Sequence, residues 1–343
     1  MRFSTPQEIK VGVIGYGGAF NMGRAHLTQM SDAGMTPTCA CDTDESRLAI
    51  ARDEFPGIET YNSVTEMLEK SDVNLLAIIT PHNTHADIAL QCLRAGRHGV
   101  CEKPLAVTTD ECDAMIGEAQ SRDLVLSTFH NRHWDGCILR AVERIRSGVI
   151  GDVVRIEAHM GGYGQPGDWW RSSRSISGGI LYDWGVHLLE YSLQLIPDAR
   201  LMEVCGFVKT GVWADKTSWK DDTIEDEGFA VARFDTGQWV SLCITNLDMN
   251  PKPNQLEITG TAGTYMFGGR NWTEITMEDG AKVVRQGTNP QSEGGKFYQN
   301  IAAHLCGGED LVITPEYSRR PIHILDLAVR SAAAGRTLAA TYA

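Results

Sequence analysis

No stretch of this 343-residue chain holds about 18 consecutive apolar residues, so the sequence offers no membrane-spanning helix. The opening MRFSTPQEIKVGVIGYGG also lacks the long apolar region and cleavage site of a signal peptide. A soluble, unprocessed protein is expected. Basic charge is short too: 31 Lys and Arg face 44 Asp and Glu, a net charge of −13. That excludes the electrostatic footprint of a nucleic-acid or anionic-membrane binder and leaves neutral or cationic small molecules, or locally basic pockets. The nine cysteines include no CxxC pair and are scattered through apolar segments, as at Cys39, Cys41, Cys92, Cys101 and Cys243. Reduced thiols in a cytoplasmic protein fit that pattern, and no metal site is expected.

What is present divides by period, since there is neither an internal repeat nor a low-complexity linker. From residue 9 to about 128, short apolar runs (Ile9 to Ile14, Thr36 to Cys41, Asn74 to Ile79, His98 to Cys101, Leu124 to Thr128) alternate with helical patterns. Strands that are apolar throughout, separated by helices, imply a doubly wound parallel sheet covered on both faces. After a helix at about Arg132 to Ser147 the texture changes. Val153 to Met160, Phe229 to Phe234, Trp239 to Thr245, Gln255 to Thr259 and Thr264 to Phe267 show period-two alternation, the mark of a mostly antiparallel sheet with one face toward helices. Helices are expected at about Gly179 to Leu195, Lys296 to Cys306 and Arg319 to Gly335. The reading is therefore α/β with two domains, residues 1–128 and 129–343.

The first domain opens as a nucleotide binder would. In KVGVIGYGGAF a strand runs into Gly15, Gly17, Gly18 and Ala19, where a tight turn and bare backbone N–H groups can approach a pyrophosphate at a helix start. Phe20 occupies the third position of the glycine pattern, and Gly23 is the candidate to supply the close packing instead. Asp42 ends the second strand, where a carboxylate accepts both adenosine-ribose hydroxyls and repels a 2′-phosphate. This predicts NAD, with NADP as the alternative because Arg47 lies nearby. The plain structural alternative makes Asp42 a cap for the helix starting near Glu45. The turn Thr80-Pro81-His82-Asn83-Thr84-His85 supplies further candidate cofactor contacts in Thr80, Pro81, Asn83 and His85, or else is an ordinary turn with Thr84 as helix cap.

GVCEKPLA places Glu102 and Lys103 at the carboxyl end of the next strand, beside the ligand crevice of such a sheet. Pro104 ends strand pairing and biases Lys103 away from helical geometry. In the second domain, GGILYDWGVHLLE sets Asp183 and His187 four residues apart, on one helix face bordered by Ile180, Leu181, Trp184 and Leu188. A satisfied core pair is the bland reading; beside a nucleotide domain and a strand-end lysine, a catalytic pair is the better one. In the Gly-rich loop that follows Gly161, Tyr163, Trp169, Trp170 and Arg171 offer flat faces and a fork of donors suited to a sugar ring, or pin the loop by packing. His26 is read as packing on the first helix.

Together, GYGGAFNMGRAH, TPHNTH, CEKPLA and GGILYDWGVHLLE, in this order and spacing, resemble the Gfo/Idh/MocA family, which includes glucose-fructose oxidoreductase and inositol dehydrogenase. The resemblance covers nearly the whole chain. It implies a Rossmann domain that binds NAD(P), then a substrate-binding α/β domain whose large open, mostly antiparallel sheet builds homodimers or homotetramers. It also implies sugars, cyclitols and their derivatives as substrates. Lys103 matches the family's EKP lysine, which contacts the reacting oxygen and helps position the nicotinamide; Glu102 before it is a candidate cofactor contact, as a partner that orients the lysine or a hydrogen-bond acceptor within the site. Asp183 and His187 match the family's Asp and its proton-accepting His. Asn131 and Arg132 resemble the family's NRR stretch and are candidate substrate contacts, but His133 stands where the second arginine would be. The implied activity is a dehydrogenase acting on CH–OH groups; an NAD-dependent glycosidase of the same fold and a non-catalytic nucleotide-bound sensor are the alternatives.

Overall fold

The computed structural model describes residues 3–18 and 20–342. The chain divides into two compact units, residues 1–131 with 295–319 and residues 132–294 with 320–343. In chain order the first unit contains β1 (Lys10–Ile14), α1 (Met22–Asp32), β2 (Thr36–Cys41), α2 (Glu45–Glu54), β3 (Glu59–Tyr61) and α3 (Val64–Lys70). There follow β4 (Leu75–Ile78), α4 (His85–Arg94), β5 (His98–Cys101), α5 (Thr109–Ser121) and β6 (Leu126–Thr128). All strands pair in parallel in the order β3-β2-β1-β4-β5-β6. Every residue of β4, β5 and β6 is buried, as a sheet covered on both faces requires. Strand order reverses between β1 and β4, which opens a crevice beyond their carboxyl ends. At the start of α5, Thr108 and Glu111 form a reciprocal capping box, worth about 1 kcal/mol.

The second unit begins with α6 (Gly136–Arg146), β7 (Val153–Gly161), α7 (Arg174–Ser177) and α8 (Ile180–Leu195). Its remaining strands are β8 (Leu201–Lys209), β9 (Glu227–Phe234), β10 (Trp239–Thr245), β11 (Leu256–Gly260), β12 (Gly263–Phe267), β13 (Asn271–Glu278) and β14 (Ala281–Thr288). The chain then returns to the first unit as α9 (Lys296–Gly307), whose Leu305 carbonyl accepts the Phe3 N–H at 3.1 Å. The division between units falls inside α10 (Pro315–Ala334), and β15 (Leu338–Ala339) completes a nine-stranded sheet. That sheet runs β14-β13-β12-β11-β7-β10-β9-β8-β15, antiparallel except for the β7/β10 pair.

α8 covers one face of this sheet, packing on β7, β9 and β10. It is buried nearly all round, its polar residues His187, Glu190 and Ser192 included. Gly228 allows its approach: a β-carbon there would lie 2.7 Å from Leu181. Leu188 and Leu189 are almost fully buried, each contributing about 1.5–3 kcal/mol. Along β9, Gly228, Ala230, Ala232 and Phe234 are buried and alternate with more exposed residues on the opposite face.

Several elements depart from the sequence expectation. β3, α3, β8, β13 and β14 were not anticipated. Asn131–Trp134 is a 3-10 turn, so α6 starts at Gly136 rather than at Arg132. β8 escapes a period-two reading because a bulge between Leu201 and Glu203 breaks its alternation. β14 is exposed almost throughout and carries little apolar signal. The signal that marks its hairpin is Asp279-Gly280, both at positive φ (50° and 79°).

Candidate active site

In the first unit Gly15 and Gly17 adopt φ of 88° and 62°, turning the chain sharply after β1. The Gly17 N–H donates to Asp42 Oδ2 at 3.0 Å, and the Asp44 N–H donates to Asp42 Oδ1 at 2.9 Å. Asp42 is therefore tied to the glycine loop. Asp44, not Asp42, caps α2 by accepting the Ser46 N–H at 2.9 Å. Gly23 does replace the missing third glycine, since a β-carbon there would sit 2.6 Å from the Tyr16 carbonyl. A β-carbon on Gly18 would lie 2.2 Å from the Arg47 guanidinium, so that cation rests on the loop. Ala19 lies outside the described residues.

These residues fit a dinucleotide. Space opens over Gly17, where an added β-carbon would meet no heavy atom within 4 Å. No side chain caps the first turn of α1. Gly15, Gly17 and Gly18 would hold the pyrophosphate through backbone N–H groups, and Asp42 would accept ribose hydroxyls.

Across the crevice, Gly15 also lies against the turn after β4: a β-carbon would be 2.6 Å from the Ile79 carbonyl. Asn83 is exposed there, and Thr80 and Pro81 are half-buried. The Thr84 hydroxyl is 2.7 Å from both Thr80 Oγ1 and the Pro81 carbonyl and does not cap α4. His85 departs from the ligand-contact reading. It is fully buried, with its ring nitrogens 2.8 Å from the carbonyls of Thr80 and Pro104, and burial pushes its imidazolium pKa down. The ring ties the Thr80 turn to the loop after β5. In that loop the Lys103–Pro104 peptide is cis, and the Lys103 N–H donates to Glu102 Oε2 at 3.0 Å. His26 is also more than packing: its Nε2 lies 3.1 Å from Glu102 Oε1. Burial raises the Glu102 pKa, but His26 and Lys103 outweigh it and hold the carboxyl below its ordinary value. Asn131 ends the first segment of this unit, half-buried.

In the second unit α8 brings Asp183 and His187 to one face, a turn apart. His187 is 6% exposed and meets the Trp184 ring edge-on at 5.7 Å, whereas Asp183 is partly open. Arg171 Nε stands 3.5 Å from Asp183 Oδ1, with its guanidinium 4.7 and 4.6 Å from the Trp169 and Trp170 ring centres. Arg132 lies over Trp184 at 5.0 Å and pairs with Asp135 at 2.9 Å. Tyr163 is 53% exposed and contacts Trp213 edge-on at 5.5 Å between ring centres.

Sequence reasoning missed two supports of α8. Glu225, 4% exposed, accepts the Ile180 N–H at 2.9 Å and so serves the helix start, where Gly179 has no side chain to do it. Glu190, one turn beyond His187 and 1% exposed, accepts from His133 at 2.7 Å and from Gln194 at 3.0 Å. Thus His133, where the resemblance expects an arginine, meets a buried carboxylate. Among the described residues no group of His, Cys, Asp and Glu could hold a metal ion, no helix is long and apolar enough to cross a membrane, and all nine cysteines are free thiols.

The chain thus combines a doubly wound parallel sheet, with a glycine turn after its first strand, and a nine-stranded, mostly antiparallel sheet. Residues 9–130 match the family model for the oxidoreductase family with an NAD-binding Rossmann fold, and residues 138–266 match the Gfo/Idh/MocA C-terminal domain. The chain belongs to the Gfo/Idh/MocA family and carries its NAD-binding Rossmann domain. An uncharacterised oxidoreductase of Schizosaccharomyces pombe is 35% identical over 147 residues, 42% of this chain and 40% of that protein. The chain thus spans about two fifths of that relative's length. The scyllo-inositol 2-dehydrogenase (NADP(+)) of Bacillus subtilis is 28% identical, covering 96% of this chain and 95% of its own. In fold, the chain is similar to levoglucosan dehydrogenase in complex with NADH and levoglucosan, with a TM-score of 0.83 at 20% identity over 97% of this chain and 100% of that one.

Proposed function

We propose that this chain is an NAD(P)-dependent dehydrogenase that acts on a CH–OH group of a sugar, cyclitol or sugar derivative. The observation that carries the reading is the α8 face, where the buried His187 stands one turn from Asp183 and Arg171 is fixed against that carboxylate. Such a face offers a proton acceptor beside a donor and an acceptor for hydroxyl groups. The inositol dehydrogenase relative supports the substrate class.

When bound, the nicotinamide supplies the hydride acceptor. His187 is the proposed acceptor of the hydroxyl proton, with Asp183 orienting the imidazole or the substrate. Lys103 is the proposed stabiliser of the oxygen as it becomes negative. Asn131, Arg132, Tyr163, Trp170 and Arg171 are the proposed substrate contacts. Residues 1–128 would bind cofactor, and 129–343 substrate and a partner subunit.

The carboxylate of Asp42 favours NAD. NADP is a second reading, favoured by the Arg47 guanidinium against Gly18 and by the NADP(+) relative. On the sheet face away from α8, Phe207 is 59% and Trp239 39% exposed, and Phe207 pairs with Phe229. An apolar face of this kind supports a homodimer or homotetramer, which solution molar mass tests.

The test of function is to mix the protein with NAD or NADP and a panel of cyclitols and sugars, following reduced nicotinamide by absorbance. Substrate-dependent reduction supports the dehydrogenase. Aryl-glycoside cleavage without net reduction would overturn it in favour of a glycosidase, and nucleotide binding with neither reaction would point to a sensor.

A further inference from the structure

Beneath the loop that carries Lys103 lies a buried polar chain that the proposed roles leave unused. It joins three segments of the first unit: His26 from α1, Glu102 after β5 and Tyr298 from α9. His26 and Tyr298 are both 0% exposed. The Tyr298 hydroxyl is hydrogen-bonded to His26 Nδ1, His26 Nε2 lies 3.1 Å from Glu102 Oε1, and Glu102 Oε2 accepts the Lys103 N–H at 3.0 Å. The Glu102 N–H donates to the Ile78 carbonyl at 2.9 Å, which fixes the far side of the same residue to β4.

One arrangement of protons satisfies every group. Burial pushes the Tyr298 hydroxyl far above its ordinary pKa, so it keeps its proton and donates to Nδ1. The imidazole then carries its proton on Nε2 and donates to the Glu102 carboxylate. Phe129 packs on the imidazole at 4.2 Å between ring centres and helps exclude water. The Glu102 side chain is 12% exposed, but the other end of the chain of hydrogen bonds is the fully buried Tyr298, so protons cannot pass through from one side to the other. Its effect is geometric.

We propose that Tyr298 and His26 are positioning residues that fix the Glu102 carboxylate, and that Glu102 in turn sets the backbone, and so the amine direction, of Lys103. The catalytic consequence rests on the dehydrogenase reading; the positioning itself does not.

The test uses the full chain with ¹⁵N-labelled histidine and ¹³Cε-labelled lysine, the Lys103 signal being assigned with Lys103→Arg. Wild type should show His26 as the Nε2–H tautomer. Tyr298→Phe keeps the ring and removes only the hydroxyl. It should shift the Lys103 ¹³Cε signal and lower kcat about 10- to 100-fold while leaving the NADH dissociation constant, by fluorescence, within about twofold. Glu102→Gln should drive His26 to the Nδ1–H tautomer, because the amide donates where the carboxylate accepted. A folded Tyr298→Phe with unchanged Lys103 signal and kcat overturns the proposal. If Tyr298→Phe fails to fold, an unchanged His26 tautomer and Lys103 signal in Glu102→Gln overturns it. Should no polyol reduce the cofactor with wild type, the dehydrogenase reading fails, and the two NMR signals still decide the positioning.

Discussion

Arg171 is held on three sides: Asp183 Oδ1 lies 3.5 Å from its Nε, and the Trp169 and Trp170 rings flank its guanidinium at 4.7 and 4.6 Å. Each stacking contact is worth about 0.5–1 kcal/mol, and a lysine reproduces neither the stacking nor the planar fork. Arg171→Lys should therefore raise KM for the substrate about tenfold, with a smaller fall in kcat. Steady-state kinetics at saturating cofactor gives the split; unchanged KM would remove Arg171 from the substrate contacts.

His187→Ala should lower kcat by about 10²- to 10⁴-fold, the usual worth of a general base. The NADH dissociation constant should stay at its wild-type value, since the proposed nucleotide contacts Gly15, Gly17 and Asp42 lie in the other unit. Full turnover in the variant would rule out His187 as the proton acceptor.

Asp42 accepts N–H groups from Gly17 and Asp44, so it braces the loop as well as being the proposed ribose contact. Asp42→Ser should weaken NADH by about tenfold, the cost of losing a hydrogen bond to a charged group. NADPH should tighten at the same time, because Arg47 would then face a phosphate without a competing carboxylate. Fluorescence titration of both nucleotides measures the ratio, and an unaltered ratio would contradict the assignment.

His98, 1% exposed, accepts the Val125 N–H at 2.9 Å, and burial pushes its pKa from 6.5 down to about 4. The unfolded chain therefore binds a proton that the folded chain refuses. Stability from this group is full above about pH 6.5 and falls as the pH drops toward 4, by about 2–3 kcal/mol at pH 4.5. His98→Asn keeps an acceptor for Val125 but does not titrate. Its unfolding midpoint should fall less than that of wild type between about pH 7 and pH 4.5; parallel falls would show that His98 is not responsible.

The fold was legible where burial leaves a continuous or alternating apolar record, as in β2, β5 and β10, whose expected limits match the observed ones. It was illegible where exposure erases the pattern, as in β14, or where three residues suffice for a strand, as in β3. The glycine turn after β1 and the placing of Asp183 and His187 on one helix were legible because each motif is local. The partners of those motifs could not: Tyr298 is 272 residues from His26, Glu225 is 45 from Ile180, and nothing in linear spacing connects them. His85 illustrates the opposite failure. Its place beside the crevice suggests a ligand contact, but only the fold reveals that two backbone carbonyls occupy its ring.

The central claim, hydride transfer from a carbinol carbon, is tested most directly by isotope tracking. A cyclitol or sugar that supports reduction is prepared with deuterium on its carbinol carbons and turned over with NAD or NADP, and the cofactor is analysed by mass spectrometry. A dehydrogenase predicts one deuterium in the reduced nicotinamide for each carbonyl formed. Product formed with no deuterium in the nicotinamide would contradict it.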